Sequence, residues 1–218
     1  MSKKIIGKCH ICGQTAELSQ EHIPPKSSGN KLTVKFYTSD DFLADDILSG
    51  EKTLADKKYH QSQGGLKMQT LCETCNNITG AYYVPAYSDF ANGVRAGLLK
   101  INQEKSLNHS LRLNCKLKPL NFLKEVLAMF CSVLPHTTVD IYKFGQYVLD
   151  KDLQNFYNDK FDLYMYLSTT HKGYYKSFPP AVTGNILTNK MTLCQSFPHL
   201  RWGLFYLSRQ KQFCRCQV

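Results

Sequence analysis

Two Cys-x-x-Cys pairs, Cys9-His10-Ile11-Cys12 and Cys72-Glu73-Thr74-Cys75, constrain the fold of this chain more than any other feature of its sequence. Four thiolates delivered as two tight pairs match the closed tetrahedral coordination of a structural zinc. Glu21 and His22 lie between the pairs, and Asn76 directly follows the second. An acid, a histidine and an amide beside a zinc scaffold point to a second metal site. One site would hold the fold and the other would do chemistry.

The rest of the composition narrows the class. The 218 residues make one large domain or two small ones, and 43% apolar content supports a real core. Met1 to Lys8 is basic but lacks the apolar stretch of a signal peptide. The longest apolar run, Val126 to Leu134, is interrupted by Ser132 and too short to span a bilayer. A soluble, cytoplasmic protein with no membrane partner is expected. Nine cysteines, an odd number, argue against a disulfide framework in such a setting. Cys131 sits in an apolar helical pattern and reads as core. Cys214-x-Cys216 has poor zinc-knuckle spacing and stays open between a tail and a ligand role. The net charge of +10, from 27 Lys and Arg against 17 Asp and Glu, favours a polyanion such as nucleic acid. Charge alone equally describes a generally basic soluble protein.

Along the chain, residues 5–25 read as a knuckle followed by a short extended stretch that ends at Pro24-Pro25. Residues 26–65 are polar and read as a long insertion with at most one or two short elements. Leu66 to Leu71 alternates as a strand does. A helix is expected from Cys75 to about Tyr83, broken by Pro85, and another from Ala86 to Lys100. Asn121 is the expected N-cap of a helix whose Phe122, Val126, Phe130 and Leu134 share one face. A shorter helix covers Asp140 to Asp150. Strands follow at 161–168, 181–187 and 202–207. His60, His109, His136, His171 and His199 lack ligand spacing, and Tyr82-Tyr83 and Tyr174-Tyr175 read as packing residues.

A Cys9–Cys12 knuckle, a hairpin, and a helix starting near Cys75, clamped by one Zn²⁺, make a treble clef. The positive end of that helix favours thiolates. On a regular strand Glu21 and His22 point to opposite faces, so shared use of both needs an irregularity, for which Ile23-Pro24-Pro25 provides a cause. Taken together, Cys-x-x-Cys, Glu21-His22-Ile23-Pro24-Pro25, Leu71-Cys72-x-x-Cys75-Asn76 and Gly80 resemble the HNH endonuclease family, whose ββα-metal fold is a treble clef. The version with two cysteine pairs is also similar to resolving endonucleases of phages. The resemblance covers about residues 7–85.

It implies an α+β fold in which residues 1–100 form a zinc-stabilised nuclease domain, with the 26–65 insertion, and residues 101–218 form a mixed α/β lobe of unknown role. It implies His22 as general base, Glu21 and Asn76 as ligands of one catalytic Mg²⁺ or Mn²⁺, and products with 5′-phosphate and 3′-hydroxyl ends. Where many members carry an asparagine, this chain has Lys67, which leaves a backbone carbonyl as the substitute for orienting the histidine. Lys26, Lys58 and Lys67 are candidate phosphate contacts, weighed against plain solvated lysines. The expected function is hydrolysis of phosphodiester bonds in DNA, with RNA not excluded, in host (antiviral) defence or mobile-element processing. The alternative is an inactive zinc-stabilised nucleic-acid-binding or interaction module. A third reading is an effector subunit whose second half docks a partner. Cutting both strands with one metal per site takes two active sites, which admits a homodimer.

Overall fold

The computed structural model describes residues 4–37, 40–41, 44–104 and 117–156, and beyond them the strands at 162–166, 181–185, 190–196 and 204–208. Cys115, Cys214, Cys216, His109, His171, His199, Tyr174 and Tyr175 lie outside the described residues. The fold is mixed α and β, with small antiparallel sheets and a helical layer.

β1 (Ile5–Lys8) and β2 (Thr15–His22) run antiparallel, with Lys8 opposite Thr15. The knuckle Cys9–Gly13 is their turn. Cys9 N–H donates to Gln14 O at 2.8 Å, and Gly13 N–H to Cys9 O at 2.9 Å. β5 (Lys67–Cys72) pairs with the other edge of β2, giving the order β1-β2-β5. The strand expected from 66 is therefore present, whereas β1 is an addition. A bulge lies between Ser19 and Glu21. Across it β5 carries the extra residue, Gln69 and Thr70 standing against Gln20 alone, so the irregularity lies upstream of the prolines and on the strand facing the two site residues.

α2 (Glu73–Tyr82) starts as β5 ends, with Cys72 as its N-cap residue. Pro85 does end that helix, but it also opens the next one. It occupies the first turn of α3 (Val84–Glu104), where its missing N–H has no helical partner to lose.

The segment between β2 and β5 holds more structure than the sequence suggests. It has a 3-10 turn (Lys26–Ser28), β3 (Val34–Phe36), α1 (Asp45–Leu48), a second 3-10 turn (Leu54–Asp56) and β4 (His60–Ser62), which pairs with β3. Short polar contacts hold these pieces. Lys57 Nζ donates to both Asp46 carboxylate oxygens at 2.7 and 2.8 Å, and Thr53 N–H and Oγ1 both reach Asp56 Oδ2 at 2.9 Å. Such contacts leave no hydrophobic period to read.

α4 (Pro119–Val133) crosses the core, and every residue from Lys124 to Ser132 is buried. Asn121 is not its cap. Lys118 is the N-cap residue, Pro119 takes the first turn, and Asn121 Nδ2 instead donates to Tyr82 O at 2.7 Å. The expected 140–150 helix is two, α5 (His136–Ile141) and α6 (Phe144–Leu149), separated at Lys143 with φ of 55°. β6 (Asp162–Tyr166), β7 (Ala181–Asn185), β8 (Lys190–Ser196) and β9 (Leu204–Ser208) form a sheet in the order β6-β9-β8-β7. β8 goes beyond the sequence expectation, because Lys190 and Gln195 dilute its alternation.

One hydrophobic core draws on both halves of the chain. Cys9, Ile11, Leu71 and Tyr83 pack in the same cluster as Val126, Phe130, Phe144 and Tyr147. Cys131 is in that cluster, as its helical spacing predicts. Buried Lys124 is held by three neighbours: its Nζ donates to Asp150 O and lies 4.5 Å from the Tyr147 ring centre and 6.0 Å from that of Tyr83. Tyr83 Oη donates to Val148 O at 2.6 Å. Helix α6 meets the knuckle backbone to backbone. A Cβ on Gly145 would lie 2.1 Å from Ile11 O. Gly145→Ala should thus destabilise the protein by about 1–3 kcal/mol through overpacking, read as a lower midpoint in thermal or urea unfolding.

Candidate metal centre and adjoining cleft

The β1–β2 turn carries Cys9 and Cys12, while the β5–α2 junction carries Cys72 and Cys75. The pairing of β2 with β5 brings the two together. All four sulfurs lie within 4.8 Å of one another, and Cys12 Sγ and Cys72 Sγ are 3.9 Å apart. A tetrahedral zinc with bonds of ~2.3 Å separates its sulfurs by about 3.8 Å. The donor set and spacing therefore fit a metal ion such as zinc.

The electrostatics agree. The Cys75 thiol pulls Cys9 down to about 4, against the opposing effect of burial, with help from backbone N–H groups of the knuckle and of Cys72. Cys75 in turn is pushed far up, first by its contact with Cys9 and then by burial. Cys9 and Cys75 thus compete for one negative charge, a conflict that a cation among the four sulfurs relieves. His10 is occupied elsewhere: its Nδ1–H donates to Cys131 O at 3.0 Å, and its own carbonyl accepts from His136 Nδ1 at 3.2 Å.

Beside this cluster opens a cleft of about 520 Å³ whose walls include Glu21, His22, Lys26, Lys31, Asn76 and Glu125. The three residues that the sequence singles out for chemistry thus line one cavity. His22 Nε2 is 3.1 Å from Gly64 O. A carbonyl only accepts, so Nε2 carries the proton and Nδ1 keeps its lone pair. Burial lowers the His22 pKa below its ordinary value; the Gly64 bond opposes this, and Lys67 and Lys26 add to it. The backbone carbonyl that meets the ring is that of Gly64, and Lys67 is the cross-strand partner of His22.

Glu21 lines the cleft half-buried. Burial pushes its carboxyl up to about 7, against the lowering by the Ser132 and Thr70 hydroxyls, of which Thr70 Oγ1 lies 3.1 Å from Oε1. Asn76 donates through Nδ2 to Ser19 Oγ at 3.0 Å and Gln20 O at 3.4 Å. Its amide group is thereby turned so that Oδ1 remains to accept or to ligate. Glu21 and Asn76 can hold a hard divalent cation, since both offer oxygen.

Of the three lysines singled out, Lys26 lines the cleft, Lys67 faces His22 across the strand pair without lining it, and Lys58 is exposed beside β4. The turn bearing Lys26 is pinned to α3. Ser27 Oγ is 2.6 Å from Ser88 Oγ, Asn92 Nδ2 donates to Ser27 O at 3.2 Å, and Arg95 donates to Ser28 O.

Sequence reasoning misses Lys31, Asn30 and Glu125. Asn30 is 1% exposed and closes the base of the long excursion. Its Nδ2 donates to Pro24 O at 2.7 Å and Leu66 O at 2.9 Å, and its Oδ1 accepts from Leu66 N–H at 2.8 Å. Gly65, with φ of 103°, runs so close that a Cβ would lie 2.3 Å from Asn30 O. Glu125 adjoins Lys124 inside an otherwise apolar helical run, which reads as scaffold.

No protein-family model, no curated protein and no solved structure matches this chain. What the site can do is read from its own geometry. No helix among the described residues is long and apolar enough to cross a membrane.

Purified protein should carry about one zinc per chain by elemental analysis. Cys72→Ala should lose that metal and unfold at markedly lower denaturant, because binding energy on the order of 10 kcal/mol is coupled to folding at sites of this kind.

Proposed function

We propose that the chain is a metal-dependent endonuclease of HNH type that hydrolyses phosphodiester bonds in DNA. In this reading β2, β5 and α2 are the ββα-metal unit of a zinc-clamped treble clef. The observation that carries it is the state of His22: a ring held through Nε2–H by Gly64, with a basic Nδ1, lining one cleft with Glu21 and Asn76. A histidine fixed in that tautomer is a ready general base.

The steps give each side chain a role its geometry allows. Lys26 and Lys31 at the rim attract the anionic backbone. His22 Nδ1 takes the proton of a water molecule as that water attacks phosphorus. Its imidazolium is then stabilised through the Nε2–H bond to Gly64 O. The Thr70 hydroxyl steadies Glu21, and Ser19 and Gln20 steady Asn76, which keeps two oxygen donors in place. Those donors would hold Mg²⁺ or Mn²⁺, which would supply Lewis-acid stabilisation of the charge developing in phosphodiester cleavage.

His22→Ala should retain zinc and fold while cutting the rate by about 10²–10⁴, assayed on linear and branched DNA with Mg²⁺ or Mn²⁺. If zinc-loaded wild type cleaves neither DNA nor RNA with either metal, the reading fails and the binding-module alternative replaces it.

The ring's titration offers an independent check. The proton NMR midpoint of His22 in protein without added Mg²⁺ or Mn²⁺ should fall below ~6.5. Lys67→Ala removes a positive neighbour that disfavours imidazolium, so the midpoint should move up toward that value. An unchanged midpoint would contradict the placement of Lys67.

A further inference from the structure

Glu125 is 4% exposed, lies on a helix otherwise committed to the core, and lines the cleft. Its Oε2 is buried with no hydrogen-bond partner. Leaving a carboxyl oxygen dry and unpaired costs about 1–3 kcal/mol, and more when it is charged. No ion pair among the described residues involves Glu125. Lys124 is adjacent in sequence, but neighbours one residue apart do not share a helix face, and its ammonium is engaged by Asp150 O and two tyrosine rings. The charge that acts on Glu125 is Glu21, of the same sign, and this adds to the burial that pushes its carboxyl up to about 8. Glu21 likewise has no Lys, Arg or His partner among the described residues.

Two acids lining one cleft, neither with a Lys, Arg or His ion-pair partner among the described residues, are an arrangement that a divalent cation resolves. We propose that Glu125 is a further oxygen ligand of the catalytic divalent ion, delivered by the helical layer to the site that Glu21 and Asn76 begin. This rests on the nuclease reading in that the ion is the same one. It gives the second half of the chain a part in the chemistry, since α4 completes a coordination shell that the ββα unit supplies only in part. The donors would then be two carboxylates and an amide oxygen, a hard set that suits Mg²⁺, Mn²⁺ or Ca²⁺ over softer metals.

The test measures metal binding directly. Zinc-loaded full-length protein is titrated with Mn²⁺ and free Mn²⁺ is followed by electron paramagnetic resonance, for wild type, Glu21→Gln, Glu125→Gln and Glu125→Met. Wild type should bind one Mn²⁺, and both Glu125 variants should bind it about tenfold or more weakly. Melting without added Mn²⁺ gives the second readout. Both Glu125 variants should melt no lower than wild type, since each removes a buried unpaired acid, and both should lose most of the Mn²⁺-induced rise. Unchanged affinity in the Glu125 variants alongside weakened binding in Glu21→Gln overturns the role of Glu125 and leaves the nuclease reading standing. Lower melting with unchanged affinity makes Glu125 structural and overturns it too. Wild type that binds no Mn²⁺ removes both.

Discussion

Everything in this structure is arranged around four sulfur atoms that repel one another when ionised. Their spacing fits a metal ion such as zinc, and that spacing requires a hairpin turn and a strand–helix junction to stand face to face. That one demand fixes the β1-β2-β5 sheet, because β2 must lie beside β5 for the two cysteine pairs to meet. It fixes the start of α2, because Cys72 and Cys75 straddle it. Asn76 is the next residue, so its position over β2 is inherited from the cysteine cluster with little remaining freedom. The helical layer then packs on the knuckle so closely that only glycine is tolerated at position 145.

Much of this is legible in the sequence, and the parts that are not have a common physical cause. Cysteine spacing is a strong, local signal, and it locates the metal centre and the helix after it. Hydrophobic period finds β5, α3 and α4, because each buries an apolar face. The excursion between β2 and β5 reads as nearly structureless because its turns and short strands are tied by Lys57–Asp46 and Thr53–Asp56 contacts, which carry no period. The α4 cap is misplaced in sequence because an asparagine near a helix start looks alike whether it caps its own helix or, as Asn121 does, reaches across to Tyr82.

The cleft divides the same way. Glu21, His22 and Asn76 can be picked out beside the cysteines, and the geometry brings them to one cavity. The carbonyl that meets the ring and the unpaired acid beside it come from farther along the chain. Gly64 O is a backbone atom and leaves no mark in residue identity. Glu125 is hidden by its surroundings: a helix that buries nine consecutive residues, from Lys124 to Ser132, reads as scaffold, and the two charged ones among them are easily passed over. Lys124 satisfies itself against carbonyl and rings, whereas Glu125 does not, and that contrast is visible only in three dimensions.

The Asn30 clasp has a consequence for how such a chain can vary. Three hydrogen bonds from one buried amide tie Pro24 to Leu66, so the neck of the excursion has a fixed width whatever lies beyond it. Closing a longer loop across a neck already fixed adds little entropic cost, roughly 0.6 kcal/mol per doubling of length. Residues 32–63 are in this sense an exchangeable cassette. Their length and chemistry can drift while the carbonyl of Gly64 and the ring of His22 keep their registration.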